Sequence, residues 1–308
     1  MKSAIASLSN FDDGIPASRA VAIGRYLIVL LLLTVSPLTL VMWDWQYLDS
    51  GGNPLDKFHP ATLLASALIL LMAFANRNPL TGLTAILERN GDMLPFLVAN
   101  AFMIVYSNFA FGLPVTIFVE TFVGGVMMVI LFRDLDHESG RRLALLVHAL
   151  MFLNSAVAFY EIFSGTRFTP LVINGEVLTD EPRATALLGH PLANAILAGS
   201  YLVMLALGGG RDLPQSLRPA AFVVALASLA PFGGRAATGF ALLLLLFLSL
   251  RHVWWALNGA KFSTGSVLST LIVIPCAALA VVAANEVGLL DPLTSRLFDD
   301  EGSAGPAE

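Results

Sequence analysis

Long apolar runs are what most constrain this chain. The first, at 26–43, already approaches the twenty or so residues that a helix rising 1.5 Å per residue needs to cross hydrocarbon. It exceeds a signal-peptide core and has no A-x-A cleavage site after it, so it reads as a membrane span. With 56% hydrophobic and only 13% charged residues, and a mean hydropathy of +0.77, the chain as a whole reads as an integral membrane protein. The expected fold is all-α, a polytopic helical bundle.

The apolar runs predict nine transmembrane helices, at 21–43, 61–75, 94–112, 113–132, 143–163, 187–207, 219–231, 236–250 and 267–284. The third and fourth are separated only by Gly112-Leu113-Pro114, and the seventh is short enough to be re-entrant. This divides the chain into an amino-terminal segment, 1–20, a helical domain, 21–284, and a tail, 285–308. The stretch 79–92, with Leu80, Leu83, Ile86 and Leu87, reads as a short amphipathic helix on the inner surface. No repeat, low-complexity tract or soluble domain interrupts the series.

Placing the amino terminus in the cytoplasm puts twelve of the 17 Lys and Arg residues inside and leaves five outside: Lys57, Arg167, Arg183, Arg235 and Arg296. Aromatic side chains fit that frame, with Trp43, Trp45 and Tyr47 at one interface and Trp254 and Trp255 at the other. A net charge of -5 without a basic cluster argues against nucleic acid as a partner. The single cysteine, Cys276, lies in an apolar run and provides neither a disulfide nor a thiolate metal cluster. No metal and no cofactor are expected.

Polar groups collect towards the outer ends of the spans: Tyr106, Asn108, Glu120, Asn154, Tyr160 and Glu161, all expected to face protein or a watery cavity. Arg183 and Arg235 each precede a long apolar segment on that same side. An arginine at mid-bilayer costs roughly 2.5 to 3.5 kcal/mol, so arginines at helix ends call for an anion, a partner or the interface. Pro191 suits the first position of a helix, leaving His190 near the cap, and Gly233-Gly234 permits a tight turn just before Arg235. Two helix amino termini with an arginine each would make a diphosphate cradle.

Blander accounts stand beside each of these. Either arginine alone suits an interfacial anchor or an ion pair with Glu120, Glu161 or Asp180. His190 suits a capping role, and Glu120 suits a structural partner for an arginine. Gly208-Gly209-Gly210 before Arg211 reads as a helix stop, and Asp299-Asp300-Glu301 as a solvated acidic turn.

Arg183-x-x-x-Leu187, then Gly189-His190-Pro191 and Asn194, with Gly234-Arg235 before a further helix, resemble the O-antigen ligase and O-antigen polymerase superfamily. Arg183 also stands sixteen positions before Gly199, an Arg-x15-Gly spacing found in polymerases of that group. The resemblance runs from about residue 94 onward. It implies a membrane glycosyltransferase of surface polysaccharide assembly, acting at the periplasmic face of a bacterial inner membrane on undecaprenyl-diphosphate-linked glycan. Membrane lipid and other components of a polysaccharide assembly system would be its partners. Arg183 and Arg235 would bind the diphosphate, with Glu120, Glu161 and His190 as candidates for the general base. Ligases of the group carry a later periplasmic segment with an important histidine, and none of the five histidines here occupies that place. A truncated member, or one completed by another chain, is the resulting expectation. The competing expectations are a transporter or flippase for an anionic or lipid-linked substrate, which would show helices broken near the midplane, and an inactive fragment.

Overall fold

A computed structural model describes residues 15–45, 53–76, 78–112, 115–173, 176–178 and 183–234, together with 237–241 and scattered positions as far as 259. The described chain is almost wholly helical. It forms two compact units, Met1–Leu143 and Ala144–Glu308.

Four helices begin in the same way, with a capping side chain followed by proline at the first turn: Ser36-Pro37, His59-Pro60, Asn78-Pro79 and His190-Pro191. Each cap accepts a backbone N–H that the new helix cannot bond internally, and proline has no N–H to satisfy. These starts explain why apolar runs that look continuous fold as separate pieces.

In the first unit, α1 (Ile15–Thr34) stops before Ser36-Pro37, where α2 (Pro37–Met42) begins. The single span expected at 21–43 is therefore two helices. Helix α3 (Pro60–Phe74) packs along α1, with Val21, Ile28, Ala61, Ala65, Leu68 and Leu131 forming the core. Gly24 makes this approach possible, since a methyl group there would collide with Leu68. Helix α4 (Pro79–Arg89) turns away from α3 by 113°, and Gly82 lies directly on the Ala73 carbonyl. Leu80 and Leu87 stay exposed along α4, as an amphipathic surface helix requires. Helix α5 (Leu94–Phe111) ends at Gly112, whose φ of 64° makes the left-handed cap that glycine tolerates. Then α6 (Val115–Phe118), a π turn (Val119–Val123) and α7 (Gly124–Phe132) follow one another. Arg133 bonds both oxygens of Asp92, at 2.6 and 2.8 Å, and Arg89 pairs with Asp134 at 2.7 Å. The Asp92 carboxylate raises the Arg133 guanidinium above its ordinary value.

Helix α8 (His137–Ser164) opens on Asp136, whose carboxylate accepts the Ser139 N–H at 2.8 Å. After α8 comes a hairpin, β1 (Leu171–Ile173) against β2 (Glu176–Leu178), antiparallel with Val172 opposite Val177. No strand is expected from the hydropathy pattern, although Asn174-Gly175 between β-branched and apolar residues is a hairpin signal. Helices α9 (Pro191–Ala206), α10 (Leu217–Ala227) and α11 (Leu229–Phe232) complete the second unit. Its core is rich in small residues, Ala158, Ala184, Ala186, Ala195, Ala198 and Ala225, around Met151, Leu202 and Phe232. Small side chains let helix backbones come close. Gly208, at φ 94°, ends α9 and leads into a 3-10 turn, so the triple glycine is a helix stop as expected.

Among the described residues two helical segments are long and apolar enough to cross a membrane, Gly91–Phe111 and His137–Ser164, or three if the bent pair α3 and α4 forms one broken span. They mark the chain as membrane-associated. The spans expected at 94–112 and 143–163 are thus present, and among the described residues the other expected runs do not form helices long enough to cross singly. Val119–Phe132, Pro191–Ala206 and Leu217–Phe232 are shorter apolar helices, cut by caps, prolines and the π turn. The span expected at 267–284 lies outside the described residues, as does most of the one at 236–250.

Candidate functional site

The second unit builds a frame around the segment that carries Arg183. Glu161, near the end of α8, is buried, and its carboxylate faces three backbone N–H groups. Thr185 and Ala186 donate to Oε2 at 2.7 and 2.9 Å, and Phe168 donates to Oε1 at 3.0 Å. One turn-pair earlier on α8, the Asn154 Oδ1 accepts the Leu187 N–H at 3.1 Å. The Thr185 hydroxyl donates to the Thr169 carbonyl at 2.7 Å, tying the segment to the chain before β1. From α9, the Asn194 amide donates to the Thr185 carbonyl at 2.6 Å and to the His190 carbonyl at 3.0 Å.

Such density of side-chain to backbone bonds is what an irregular buried segment requires, because it has no helix or sheet ladder to satisfy its peptide groups. It also sustains strain. Ala186 sits at φ 41°, a left-handed conformation that a residue with a Cβ adopts only under constraint, and the Glu161 bond to its N–H is part of that constraint.

The other side of the frame is the turn after α11. Ala184 donates to the Pro231 carbonyl at 2.8 Å. Gly233, at φ 61°, lies under the stem of Arg183: a Cβ there would come within 2.7 Å of the arginine Cδ. Gly234 lies against Ala195 on α9, where a methyl group would collide. The turn that leads directly into Arg235 is thus packed on Arg183 and on the first turns of α9. Arg235 itself lies outside the described residues.

His190 caps α9, its Nδ1 accepting the Leu192 N–H at 3.2 Å. It is exposed, and the Asn194 amide, which bonds both the Thr185 and the His190 carbonyls, ties it to the segment that carries half-buried Arg183. Arg183 and His190 therefore stand at the two ends of the segment that Glu161, Asn154 and Asn194 hold. Glu120 belongs to the first unit, on the π turn, where its Oε1 accepts the backbone N–H of His59 at 2.7 Å. Asn154 and Glu161 are buried, as expected of polar groups within spans, whereas Tyr106, Asn108 and Tyr160 lie on the surface of the described chain. Tyr106 stacks on Phe102 and meets the edge of Phe111.

Two elements of the frame are not signalled in the sequence. Thr185 matters through Glu161, 24 residues earlier, and Gly233 through the stem of Arg183, and neither partnership leaves a local pattern. Among the described residues, no three His, Cys, Asp or Glu side chains gather where they could hold a metal ion. Comparison with protein-family models, with curated proteins and with solved structures finds no match.

Proposed function

We propose that this chain is a glycosyltransferase-like protein of surface polysaccharide assembly. In this reading it lies in a bacterial inner membrane with its amino terminus in the cytoplasm, and transfers or polymerises glycan from an undecaprenyl-diphosphate-linked donor at the periplasmic face. One observation carries the reading: Arg183 stands on a frame of buried hydrogen bonds, and the glycine turn immediately before Arg235 packs against its stem.

Breaking the bond between the anomeric carbon and the diphosphate leaves the electron pair on the departing phosphate oxygen. The acceptor hydroxyl oxygen forms the new bond and gives its proton to a base. Charge grows on the diphosphate and on an oxocarbenium-like sugar, so guanidinium groups held in place favour the transition state over the ground state. Arginine grips two phosphate oxygens at once without a metal. Of the base candidates, Glu161 has its oxygens engaged by backbone N–H groups of the Arg183 segment, which suits a holding role. Of the other two candidates, His190 lies in the same unit as Arg183, whereas Glu120 belongs to the first unit and bonds the His59 N–H there.

A transporter or flippase is the second reading, and the broken helices of the first unit favour it: the Ser36-Pro37 break, the π turn and the 113° bend between α3 and α4. The separating experiment places the full chain in vesicles with a fluorescent undecaprenyl-diphosphate glycan and a hydroxyl acceptor. Transfer gives a larger product and releases undecaprenyl diphosphate, as this proposal requires. Movement of unaltered donor between leaflets, with no product, would establish the transporter.

A further inference from the structure

We infer that His190 is a hydrogen-bond donor, through Nε2–H, to the anionic group that Arg183 holds, and is not the general base. This inference rests on the reading of Arg183 as a diphosphate ligand. A neutral imidazole carries one proton and one lone pair. At His190 the lone pair is on Nδ1, where it accepts the Leu192 N–H and caps α9, so the proton is on Nε2. A base needs the reverse arrangement at its outward nitrogen. The ring is exposed, the Asn194 amide ties the His190 carbonyl to that of Thr185, two residues after Arg183, and the Nε2 has no protein partner among the described residues.

The same His-Pro helix start occurs in the first unit and has a different outcome. His59 Nδ1 accepts the Ala61 N–H, and the Nε2–H that this leaves is given to the Val35 carbonyl at 2.9 Å. The cap fixes the tautomer in both places. At His190 the resulting donor is exposed, on the segment that carries Arg183 and that Asn194 ties together through the Thr185 and His190 carbonyls, where a phosphate oxygen is an acceptor that suits both side chains.

Two measurements on the full chain in nanodiscs test this. In the first, 15N-histidine NMR, with the signals of His190 assigned by their loss in His190→Asn, should show the Nε2–H tautomer; an Nδ1–H tautomer overturns the inference. In the second, binding of inorganic diphosphate is compared across variants. Asparagine at 190 caps well but is too short to reach, so His190→Asn should weaken binding about tenfold or more, the cost of a hydrogen bond to a charged group. His190→Gln places an amide N–H further out and should recover part of the loss although it caps poorly. Binding that follows capping instead, normal in His190→Asn and weak in His190→Gln, overturns the donor role. Absence of diphosphate binding by the unaltered chain, or equal binding by Arg183→Ala, overturns the reading beneath it and the inference with it. Binding abolished by Arg183→Ala but intact in His190→Asn overturns the donor role alone.

Discussion

Each unit has a glutamate that accepts backbone N–H groups and a histidine that caps a helix, and the difference between the two arrangements separates structure from candidate chemistry. In the first unit Glu120 accepts the backbone N–H of His59, and the His59 ring is buried with both nitrogens engaged, one on its own helix and one on Val35. That assembly joins the end of α1, the start of α3 and the π turn. In the second unit Glu161 is the buried member and holds the segment that carries Arg183, whereas His190 is exposed and its outer nitrogen has no partner among the described residues. A histidine with every valence engaged inside the protein is part of the framework. One that caps a helix and still presents a donor at the surface is the one that the proposed reading assigns to a ligand.

The largest effect should separate the two glutamates. Glu161→Ala leaves the buried N–H groups of Thr185 and Ala186 without acceptors, at about 1 to 3 kcal/mol each, and should lower the unfolding midpoint and the amount of protein in the membrane. Glu120→Ala should cost about 1 kcal/mol; equal losses would dissolve the distinction. Next come the histidines. His59→Asn keeps a cap but loses the bond to Val35, costing about 1 to 2 kcal/mol, while His190→Asn should change stability by less than about 0.5 kcal/mol in the same denaturation assay. Gly233→Ala should follow, at about 1 to 3 kcal/mol for left-handed strain, and its methyl group should push on the stem of Arg183, so diphosphate binding should fall more than stability does. The smallest effect is at Asp136, where the Ser139 hydroxyl and N–H hold the carboxyl below its ordinary value. Its contribution is present at neutral pH and is lost as pH falls through that lowered value. The difference between the unaltered chain and Asp136→Ala should therefore close only in acid, below the ordinary carboxylate range, as read by thermal melts at several pH values.

Local chemistry was legible in the sequence and long-range partnership was not. The helix starts at Pro37, Pro60, Pro79 and Pro191 announce themselves through a capping residue before proline, and Gly112, Gly208 and Gly233 mark turns that do need a positive φ. Among the described residues hydropathy alone counted too many spans, because an apolar run has the same composition whether it is continuous or broken. Ser36-Pro37 divides the first run, and the π turn around Glu120, just before Gly124-Gly125, alters the fourth. The neighbourhood of Arg183 and His190 followed from seven residues of sequence. That Glu161 holds the same segment depends on how α8 and the loop after β2 come together, which no periodicity encodes.

Glycan transfer by the arginine variants tests the central claim most directly, in cells lacking their own copy of the gene and at matched protein level. Loss of one preorganised donor to a developing oxyanion costs about 10²- to 10³-fold, so Arg183→Ala and Arg235→Ala should each nearly abolish transfer. Lysine at either position should restore it only in part, because it keeps the charge and loses the planar fork. Arg211→Ala, in the turn that ends α9, serves as the control and should transfer normally. Normal transfer by both outer arginine variants would contradict the account and leave those side chains as interfacial anchors.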